Sequence, residues 1–302
     1  TCTGFVSNRI IRDVEFDYVI VDEAAKATFP ELAVSLNKAH KIILVGDHQQ
    51  LPPVLDTEII RNNKEKLDEE GLAQGIFERM YNMFPEDNKH RLTIQYRMHP
   101  TIGTLISHVF YNDEIQNGVE AQDRELCIEG YEGIAIEWIS TSKYSIKERY
   151  EKEFDNNGKK SYQNYLERNI IERKLLELDS KLVKRTKVAV ITGYGSQKYI
   201  LQTMVKQHSF KHIEVDVDTV DAFQGSQKDI ILYSTVRSSG NKYGIGFLKS
   251  EARINVAFSR ARCLLIIVGD MKFLDNYKIR GNKFPEIIKY ITESEGCRII
   301  EK

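Results

Sequence analysis

Short, uninterrupted runs of apolar residues, many of them β-branched, recur along the whole 302-residue chain. Apolar and polar residues do not alternate within them, and this pattern is typical of strands that are buried on both faces of a parallel sheet. The sequence therefore predicts such strands at residues 18–21, 42–45, 134–136, 188–191, 230–233 and 264–268.

Amphipathic stretches separate these runs. Between residues 164 and 184 the apolar side chains recur at helical spacing, and a second helix is predicted at residues 72–84, where Pro85 ends it. Alternating strands and helices predict an α/β fold, doubly wound, with parallel sheets covered by helices. The charged residues 143–163 are predicted to form a mobile surface loop. A domain boundary is predicted near residue 88, which divides the chain into domains 1–88 and 89–302.

The composition excludes several classes of protein. The 43 Lys and Arg residues nearly balance the 44 Asp and Glu residues, which argues against a histone-like protein or an acidic tail. A basic groove for nucleic acid is still compatible with this balance, because salt screens each charge within about 10 Å. The apolar run at residues 263–268 is much shorter than the roughly 20 residues that span a bilayer, so no membrane partner is predicted.

The four cysteines lie far apart and form no CxxC pair, which argues against a zinc ribbon, a redox dithiol or a disulfide framework. No signal peptide is recognisable, and an intracellular location, cytoplasmic or nuclear, is expected. The chain does not begin with Met, and we expect it to be part of a longer protein.

Asp22 and Glu23 directly follow the first predicted strand. Open α/β sheets bind ligands at the carboxyl ends of their strands, and an apolar strand that ends in Asp-Glu is the Walker B arrangement. Asp22 would hold Mg²⁺ and Glu23 would polarise the attacking water. The alternative interpretation is an acidic strand end that caps the next helix.

The segment Gly-Asp-His-Gln-Gln-Leu-Pro-Pro at residues 46–53 follows the second predicted strand. A glutamine here can contact a γ-phosphate and the partner domain, and thereby couple nucleotide state to domain closure. The alternative is a simple Gly-Asp turn before a proline-rich exit. His48 is interpreted as a turn residue, since no second His or Cys lies at the spacing of metal ligands.

Arg97 follows an aromatic residue at the start of the predicted second domain, and Arg260 precedes the last predicted strand. Two such arginines, together with the carboxylate pair of the first domain, form the layout of an NTPase with arginine fingers. Each arginine taken alone is more often part of a surface ion pair.

These segments, together with residues 220–225, 236–238 and 244–248, resemble the ordered motifs of superfamily 1 helicases. They are most similar to the nonsense-mediated-decay-helicase-like branch, which includes senataxin-type RNA helicases and nuclease-fused DNA helicases. The resemblance extends from Thr1 to about Asp270. It implies a RecA-like P-loop NTPase fold, with residues 1–88 as the rear part of the first RecA-like domain and residues 89–302 as the second.

The resemblance implies a role for each matching residue. Asp22 would bind Mg²⁺ and Glu23 would act as general base, while Gln50 would sense the γ-phosphate. The other predicted nucleotide contacts are Arg97 and Arg260 to the γ-phosphate, Tyr96 stacked on adenine, and Gly225 and Gln227 in the cofactor site. The predicted nucleic-acid contacts are Thr1, Thr3, Tyr194, Gln197 and Thr219. Hydroxyl and amide groups suit phosphate and sugar contacts, although such residues are also common polar strand ends.

Three departures from the family pattern accompany the resemblance. The P-loop G-x-x-x-x-G-K-[ST] does not occur in the chain, and in the family it lies upstream of the residue that corresponds to Thr1. Gln227 stands where the family usually has a Glu that contacts the ribose. Ala252 precedes Arg253 where Arg-Arg is frequent, and Gly193 replaces a common Pro.

The resemblance therefore predicts the motor core of an ATP-dependent helicase, with ATP and Mg²⁺ as cofactors and single-stranded RNA or DNA as the partner. It implies 5′ to 3′ movement by a monomeric motor within a larger chain, driven by closure of the domains on ATP. We expect the isolated chain to be inactive without a P-loop. Two alternatives remain: a degenerate helicase domain that binds nucleic acid or docks a partner, and a nuclease built on Asp22, Glu23 and Lys26, whose usual D…E-x-K spacing is missing.

Overall fold

The structure is a computed structural model that describes residues 14–54, 75–156, 159–238 and 244–301. The chain divides into two compact units, the first ending at Arg91 and the second beginning at Leu92. This division lies close to the boundary proposed from the sequence. The identification of the two units as the rear part of one RecA-like domain and the whole of another stays a prediction.

In the part of the first unit that the structure describes, two strands pair in parallel and two α-helices accompany them. They are β1 (Phe16–Val21), α1 (Phe29–Leu36), β2 (Ala39–Leu44) and α2 (Ile76–Met83). Helix α1 begins at a capping box in which the hydroxyl and the backbone N–H of Thr28 both donate to the carboxylate of Glu31, each at 2.8 Å. These bonds lower the pKa of Glu31 below its ordinary value.

The small core of the first unit is formed by Val21, Ala24, Leu32 and Phe77, with Val19 packed against them. The opposite face of β1 is exposed among the described residues, and Tyr18 and Ile20 keep 54% and 66% of their surface accessible. The prediction that these strands are buried on both faces is therefore wrong for the described structure. The physical reason is that two strands and the helices packed against Val19 and Val21 cover one face alone.

The second unit contains most of the regular structure. Its strands are β3 (Ile94–Gln95), β4 (Gln116–Asn117), β5 (Ile136–Ser140), β6 (Lys152–Asn156), β7 (Lys159–Gln163), β8 (Thr186–Thr192), β9 (Ile213–Thr219), β10 (Lys228–Ser234), β11 (Ala261–Gly269) and β12 (Cys297–Glu301). Its helices are α3 (Pro100–Phe110), α4 (Ile146–Arg149), α5 (Tyr165–Lys181), α6 (Gly195–Val205), α7 (Val220–Phe223), α8 (Glu251–Phe258), α9 (Met271–Asn276) and α10 (Phe284–Glu293).

Six of these strands form one sheet in the order β12-β5-β11-β10-β8-β9, and all neighbours pair in parallel. Strands β8, β10 and β11 are almost entirely buried, as continuous apolar runs require. Apolar residues of α5, among them Ile171, Leu175 and Leu178, pack on this sheet. The predicted α/β class with a parallel sheet covered by helices is confirmed.

The segment at residues 143–163 differs from its prediction. It is not a loop, because it forms the short helix α4 and the antiparallel hairpin of β6 and β7. An ion pair holds this segment in place, since the carboxylate of Glu151 lies 3.0 Å from the buried guanidinium of Arg237. The predicted strand at residues 134–136 is also displaced, because β5 begins at Ile136.

Two further observations concern helix lengths. The helix predicted at residues 72–84 is present from Ile76 to Met83, and its predicted first residues lie outside the described part of the chain. Among the described residues, no helix combines the length and the apolar character needed to span a membrane.

Candidate functional site

The carboxylates of Asp22 and Glu23 lie at the turn directly after β1, and both side chains are exposed. Glu23 has φ 56° and ψ 33°, a left-handed conformation that is unusual for a residue with a side chain. Asp22 supports this turn, since its Oδ1 accepts a hydrogen bond of 2.9 Å from the N–H of Glu23. Strained backbone of this kind is frequent at functional sites.

The turn after β1 packs against the segment that follows β2. The N–H of Ala24 donates to the carbonyl of Val45 at 2.8 Å. A Cβ atom on Gly46 would lie 2.7 Å from the backbone nitrogen of Ala25, so glycine alone permits this close approach. The two motifs that the sequence places after separate strands are therefore adjacent in the first unit.

Gln50 is held by the aspartate of its own motif. Its Nε2 donates to Oδ2 of Asp47 at 2.7 Å, while Oδ1 of Asp47 accepts from the N–H of Gln49 at 3.0 Å. His48 lies in a turn, as predicted, and its ring is 5.4 Å from that of Tyr81 between centroids.

The described residues contain no group of three or more side chains suited to hold a metal ion. A single carboxylate such as that of Asp22 is compatible with the usual binding of Mg²⁺, in which one or two carboxylates are joined by waters and substrate phosphates as the other ligands. Binding of Mg²⁺ at this position stays a prediction.

In the second unit, the loop that carries Tyr96 and Arg97 is folded around the side chain of Gln95. Oε1 of Gln95 accepts from the N–H groups of Arg97 and Met98, both at 2.8 Å. Its Nε2 donates to the carbonyl of Met98 at 3.0 Å and to Oδ1 of Asn117 at 2.8 Å. Tyr96 is left 63% exposed, so its ring is accessible to a ligand.

Arg124 fixes the same loop from the other side. Its Nη2 donates to the carbonyl of Tyr96 at 2.7 Å, and its Nε donates to the carbonyl of Arg97 at 2.8 Å. Arg124 thus binds the backbone of both predicted nucleotide-contacting residues. Sequence reasoning missed Arg124, because it lies 27 and 28 residues from its partners and only the tertiary fold brings it there.

We expect Arg124→Met to loosen this loop without unfolding the unit. Hydrogen bonds from a charged donor contribute roughly 1.5–3 kcal/mol, so exchange of the Arg97 and Met98 amide protons should rise about tenfold. Amide hydrogen exchange measures this effect. Arg173→Met is the control, because Arg173 donates to Asn169 on the exposed side of its own helix. Unchanged exchange at Arg97 and Met98 would show that Arg124 does not hold the loop.

The loop with Arg97 is joined to the segment that carries Arg260. Nη1 of Arg97 donates to the carbonyl of Ser259 at 3.3 Å, and the N–H of His99 donates to the carbonyl of Arg262 at 2.7 Å. His99 is buried, and this desolvation lowers its pKa below the ordinary value.

Arg260 is 2% exposed. Its guanidinium donates to the carbonyl of Val256 at 3.1 Å, to Oγ of Ser259 at 3.0 Å and to the carbonyl of Ser226 at 3.5 Å. Ser226 lies between Gly225, which has φ 80°, and the exposed Gln227. The second unit therefore brings Arg97, Arg260 and the 225–227 segment together, as the predicted site requires.

The predicted nucleic-acid contacts have different environments. Thr219 is half-buried at the start of α7. Tyr194 is buried, and its ring lies edge-on to Phe247 at 5.3 Å. Thr1 and Thr3 lie outside the described residues.

Gln197 is completely buried, and its amide is engaged inside the protein. Its Oε1 accepts from the N–H of Asn164 at 2.7 Å, and its Nε2 donates to Oγ of Ser234 at 3.1 Å. The side chain of Gln197 thus connects the start of α5 to the end of β10. In this structure the amide of Gln197 is engaged within the protein, and its predicted direct contact with nucleic acid stays a prediction.

Glu167 lies in the same buried network. Its carboxylate accepts from Ser234 Oγ at 2.6 Å, from the N–H of Val236 at 2.9 Å and from Thr235 Oγ1 at 3.2 Å. Complete burial raises the pKa of Glu167 to about 8, which outweighs the opposite effect of these three donors.

This burial predicts a pH dependence of stability. Between about pH 4.5 and pH 8 the folded protein keeps a proton on Glu167 that the unfolded chain releases. The free energy of unfolding should therefore fall as the pH rises through this window, by at most about 1.4 kcal/mol per pH unit. Urea unfolding at pH 6 and pH 8 should show a smaller decrease for Glu167→Gln, whereas Glu293→Gln, an exposed change, should behave as the wild type. Equal decreases in all three proteins would contradict the raised pKa.

Comparison with known proteins gives these sites a context. The AAA domain family matches residues 72–272, and a second AAA domain family matches residues 1–58. The chain is 36% identical over 91% of its length to the regulator of nonsense transcripts 1 homolog of Drosophila melanogaster, and covers 22% of that protein. It is 35% identical over 99% of its length to the ATP-dependent helicase NAM7 of Saccharomyces cerevisiae, and covers 29% of it. An uncharacterized ATP-dependent helicase of Methanocaldococcus jannaschii is 31% identical over 99% of the chain, with 42% of that protein covered.

Solved structures show a weaker similarity. The PRRSV helicase matches with a TM-score of 0.40 and 17% identity, covering 83% of this chain and 34% of the viral one. A complex of the arterivirus nonstructural protein 10 helicase with DNA matches with a TM-score of 0.40 and 14% identity, covering 85% of this chain and 40% of that one.

The chain spans less than half the length of the curated relatives described above. One AAA domain family nevertheless covers more than half of the chain, and the relatives match almost all of it at 31–36% identity. The chain belongs to the AAA domain family, and within it to the branch of the regulator of nonsense transcripts 1 and NAM7 helicases that its motifs resemble.

Proposed function

We propose that this chain is part of the motor of an ATP-dependent helicase that uses Mg²⁺ and moves along single-stranded RNA or DNA. The observation that carries the proposal is the hydrogen bonding in the second unit, which joins the segment of Tyr96 and Arg97 to that of Arg260. These residues are far apart in sequence, and the fold gathers the aromatic and cationic groups that nucleotide binding needs. The names of the relatives, which are ATP-dependent helicases, support the same activity.

The chemistry follows from the residue types. Tyr96 offers an exposed ring on which adenine can stack, a contact worth about 1–3 kcal/mol by analogy with base stacking on aromatic side chains. Gly225 and Gln227 flank Ser226, whose carbonyl accepts from Arg260, and they belong to the proposed cofactor site. Gln227 can accept a hydrogen bond from the ribose through its amide oxygen, although it lacks the charge of the usual Glu.

Hydrolysis of ATP needs a base that takes a proton from water and positive groups that compensate the negative charge of the phosphates. Glu23 takes a proton from the attacking water, and Asp22 holds Mg²⁺, which neutralises phosphate charge when bound. Arg97 and Arg260 stabilise the negative charge that develops on the transferred phosphoryl group. Gln50, whose amide donates to Asp47, senses the γ-phosphate.

The proposed partner is a single strand, and its proposed contacts in this chain are Thr1, Thr3, Tyr194, Gln197 and Thr219. Polar contacts to phosphate and sugar position a strand without reading its sequence, which suits a motor that moves over any sequence. By resemblance the movement runs from 5′ to 3′, by a monomeric motor. The degenerate docking module is the less supported alternative, because two of the relatives are named ATP-dependent helicases.

An unwinding assay tests the proposal. The protein to use joins this chain to a P-loop segment, and the substrates are duplexes with a 5′ or a 3′ single-stranded overhang. With ATP and Mg²⁺ we expect unwinding of the 5′-overhang duplex. Unwinding of the 3′-overhang duplex alone would contradict the direction, and binding of the strand with no unwinding of either would favour the docking module.

A further inference from the structure

A groove of about 750 Å³ lies in the second unit, where β8 ends and α6 begins. Its lining includes Tyr194, Gly195, Tyr199 and Phe247. The carboxyl end of a strand in an open parallel sheet is a frequent position for ligand binding, and the volume lies within the range of small-molecule sites. Tyr194, one of the predicted nucleic-acid contacts, lines this groove, whereas none of the predicted ATP-binding residues does.

The walls of the groove are aromatic. Tyr199 is 68% exposed, although it is a large ring on a well-packed helix, and Phe247 is also exposed. Gly193 lies beside Phe247, where a Cβ atom would be 3.4 Å from the Cβ of the phenylalanine. A side chain at this position would contact Phe247, and glycine has none. The guanidinium of Arg253 lies over one face of Phe247, 4.9 Å from the ring centroid, and the aromatic surface that remains accessible suits a flat, apolar ring.

The polar groups of the groove favour a base over a phosphate. Its lysine, Lys160, donates to Oε1 of Glu153 at 2.8 Å, so its charge is already compensated. Gln163 is 7% exposed, and its Nε2 donates to the carbonyl of Ser196 at 3.1 Å. Within the described residues its Oε1 has no hydrogen-bond partner. This oxygen is buried, so the wall must open slightly before it can accept an N–H group, which every nucleobase carries.

We propose that this groove is a stacking subsite that holds one base of the single strand on Tyr199 and Phe247, with Gln163 as hydrogen-bond acceptor. The inference rests on the proposed function and extends it, because the contacts implied by the family motifs are to phosphate and sugar. It adds three residues to the strand-binding surface: Gln163, Tyr199 and Phe247. Stacking on aromatic side chains tolerates any base, as a translocating motor requires.

Gly195 provides a direct steric test. A Cβ atom at this position meets no atom within 4 Å, and the residue begins helix α6, where leucine is a better helix former than glycine. Gly195→Leu should therefore fold normally and fill the mouth of the groove. Tyr199→Ala removes the platform and Tyr199→Phe keeps it. Tyr165→Ala is the matched control, since this tyrosine is exposed but does not line the groove.

The measurement is fluorescence anisotropy of a labelled oligouridine or oligothymidine with the 302-residue chain. Stacking of one base predicts that Gly195→Leu and Tyr199→Ala weaken binding about 5- to 150-fold, while Tyr199→Phe and Tyr165→Ala change it less than twofold. An oligonucleotide with 5-iodouracil should crosslink to Tyr199 or Phe247 on irradiation, as mapped by mass spectrometry.

The outcomes separate the two proposals. If the wild-type chain binds the strand, but Gly195→Leu and Tyr199→Ala bind equally well and the crosslinks map elsewhere, the groove is not a base subsite and the proposed function stands. If the wild-type chain binds no single strand, both proposals are contradicted. If adenosine monophosphate prevents crosslinking at Tyr199 while the strand stays bound, the groove is a site for free nucleotide and the inference is overturned.

Discussion

Replacing Glu23 by Gln is expected to lower the turnover of ATP by about 10²–10⁴-fold, which is the usual contribution of a general base. The amide has the shape of the carboxylate but cannot take a proton from water. Binding of ATP should persist, because Asp22 and the other proposed nucleotide contacts are unchanged. The measurement is steady-state hydrolysis and equilibrium binding of ATP by a protein that joins this chain to a P-loop.

Glu15→Gln is the matched control for this change. It makes the same chemical substitution on an exposed side chain just before β1, while Glu23 directly follows that strand. The control should retain full turnover. If Glu23→Gln hydrolysed ATP at the wild-type rate, Glu23 would not be the base, and its left-handed conformation would need another explanation.

Arg97→Ala is expected to have an effect of similar or greater size. Arginine fingers contribute about 10³–10⁵ in kcat, because they stabilise charge on the transferred phosphoryl group. The loop should keep its conformation, since Gln95 and Arg124 hold its backbone independently of the Arg97 side chain. The measurement is kcat and KM for ATP, together with the free energy of unfolding, which should fall by at most about 3 kcal/mol through loss of the hydrogen bond to Ser259.

The control for Arg97 is Arg185→Ala, which removes an exposed arginine 3.7 Å from Glu214. It should leave kcat unchanged. A loss of kcat in Arg97→Ala with a folded protein supports a role in catalysis. An increase in KM alone would instead show that Arg97 contributes to binding of ATP equally in the ground state and the transition state.

The sequence predicted the inner strands of the sheet well, because β8, β10 and β11 are buried on both faces and are therefore continuously apolar. The two edge strands were not predicted. In β9 exposed residues are interspersed with buried ones, and β12 is mostly half-buried. A search for uninterrupted apolar runs passes over such strands, although alternation was a usable signal for β9.

Two predictions failed because they depended on tertiary context. The strand β1 has the composition of a doubly buried strand, but the described structure covers only one of its faces. Residues 143–163 have the charge of a loop, but Glu151 pairs with the buried Arg237 and the segment forms a hairpin. Composition reports how polar a segment is, and not whether a partner for its charges lies elsewhere in the fold.

The candidate site shows the same limit. Residues within contiguous motifs, such as Arg97 and Arg260, were found from the sequence, because each motif carries its own chemistry. The residues that hold these motifs in position were not. Arg124 binds the loop from the far side, and the carboxyl of Glu167 lies under the strand ends in a buried network. Neither belongs to a motif that sequence reasoning singled out, and only the fold relates them to the site.

The central claim is that this chain supplies part of an ATP-driven motor for single strands, and its most direct test is ATP hydrolysis with and without single-stranded RNA or DNA. The assay compares the 302-residue chain with the same chain joined to a P-loop segment. The account predicts hydrolysis that the strand stimulates in the joined protein, and none in the chain alone. Strand binding without hydrolysis in either protein would contradict it.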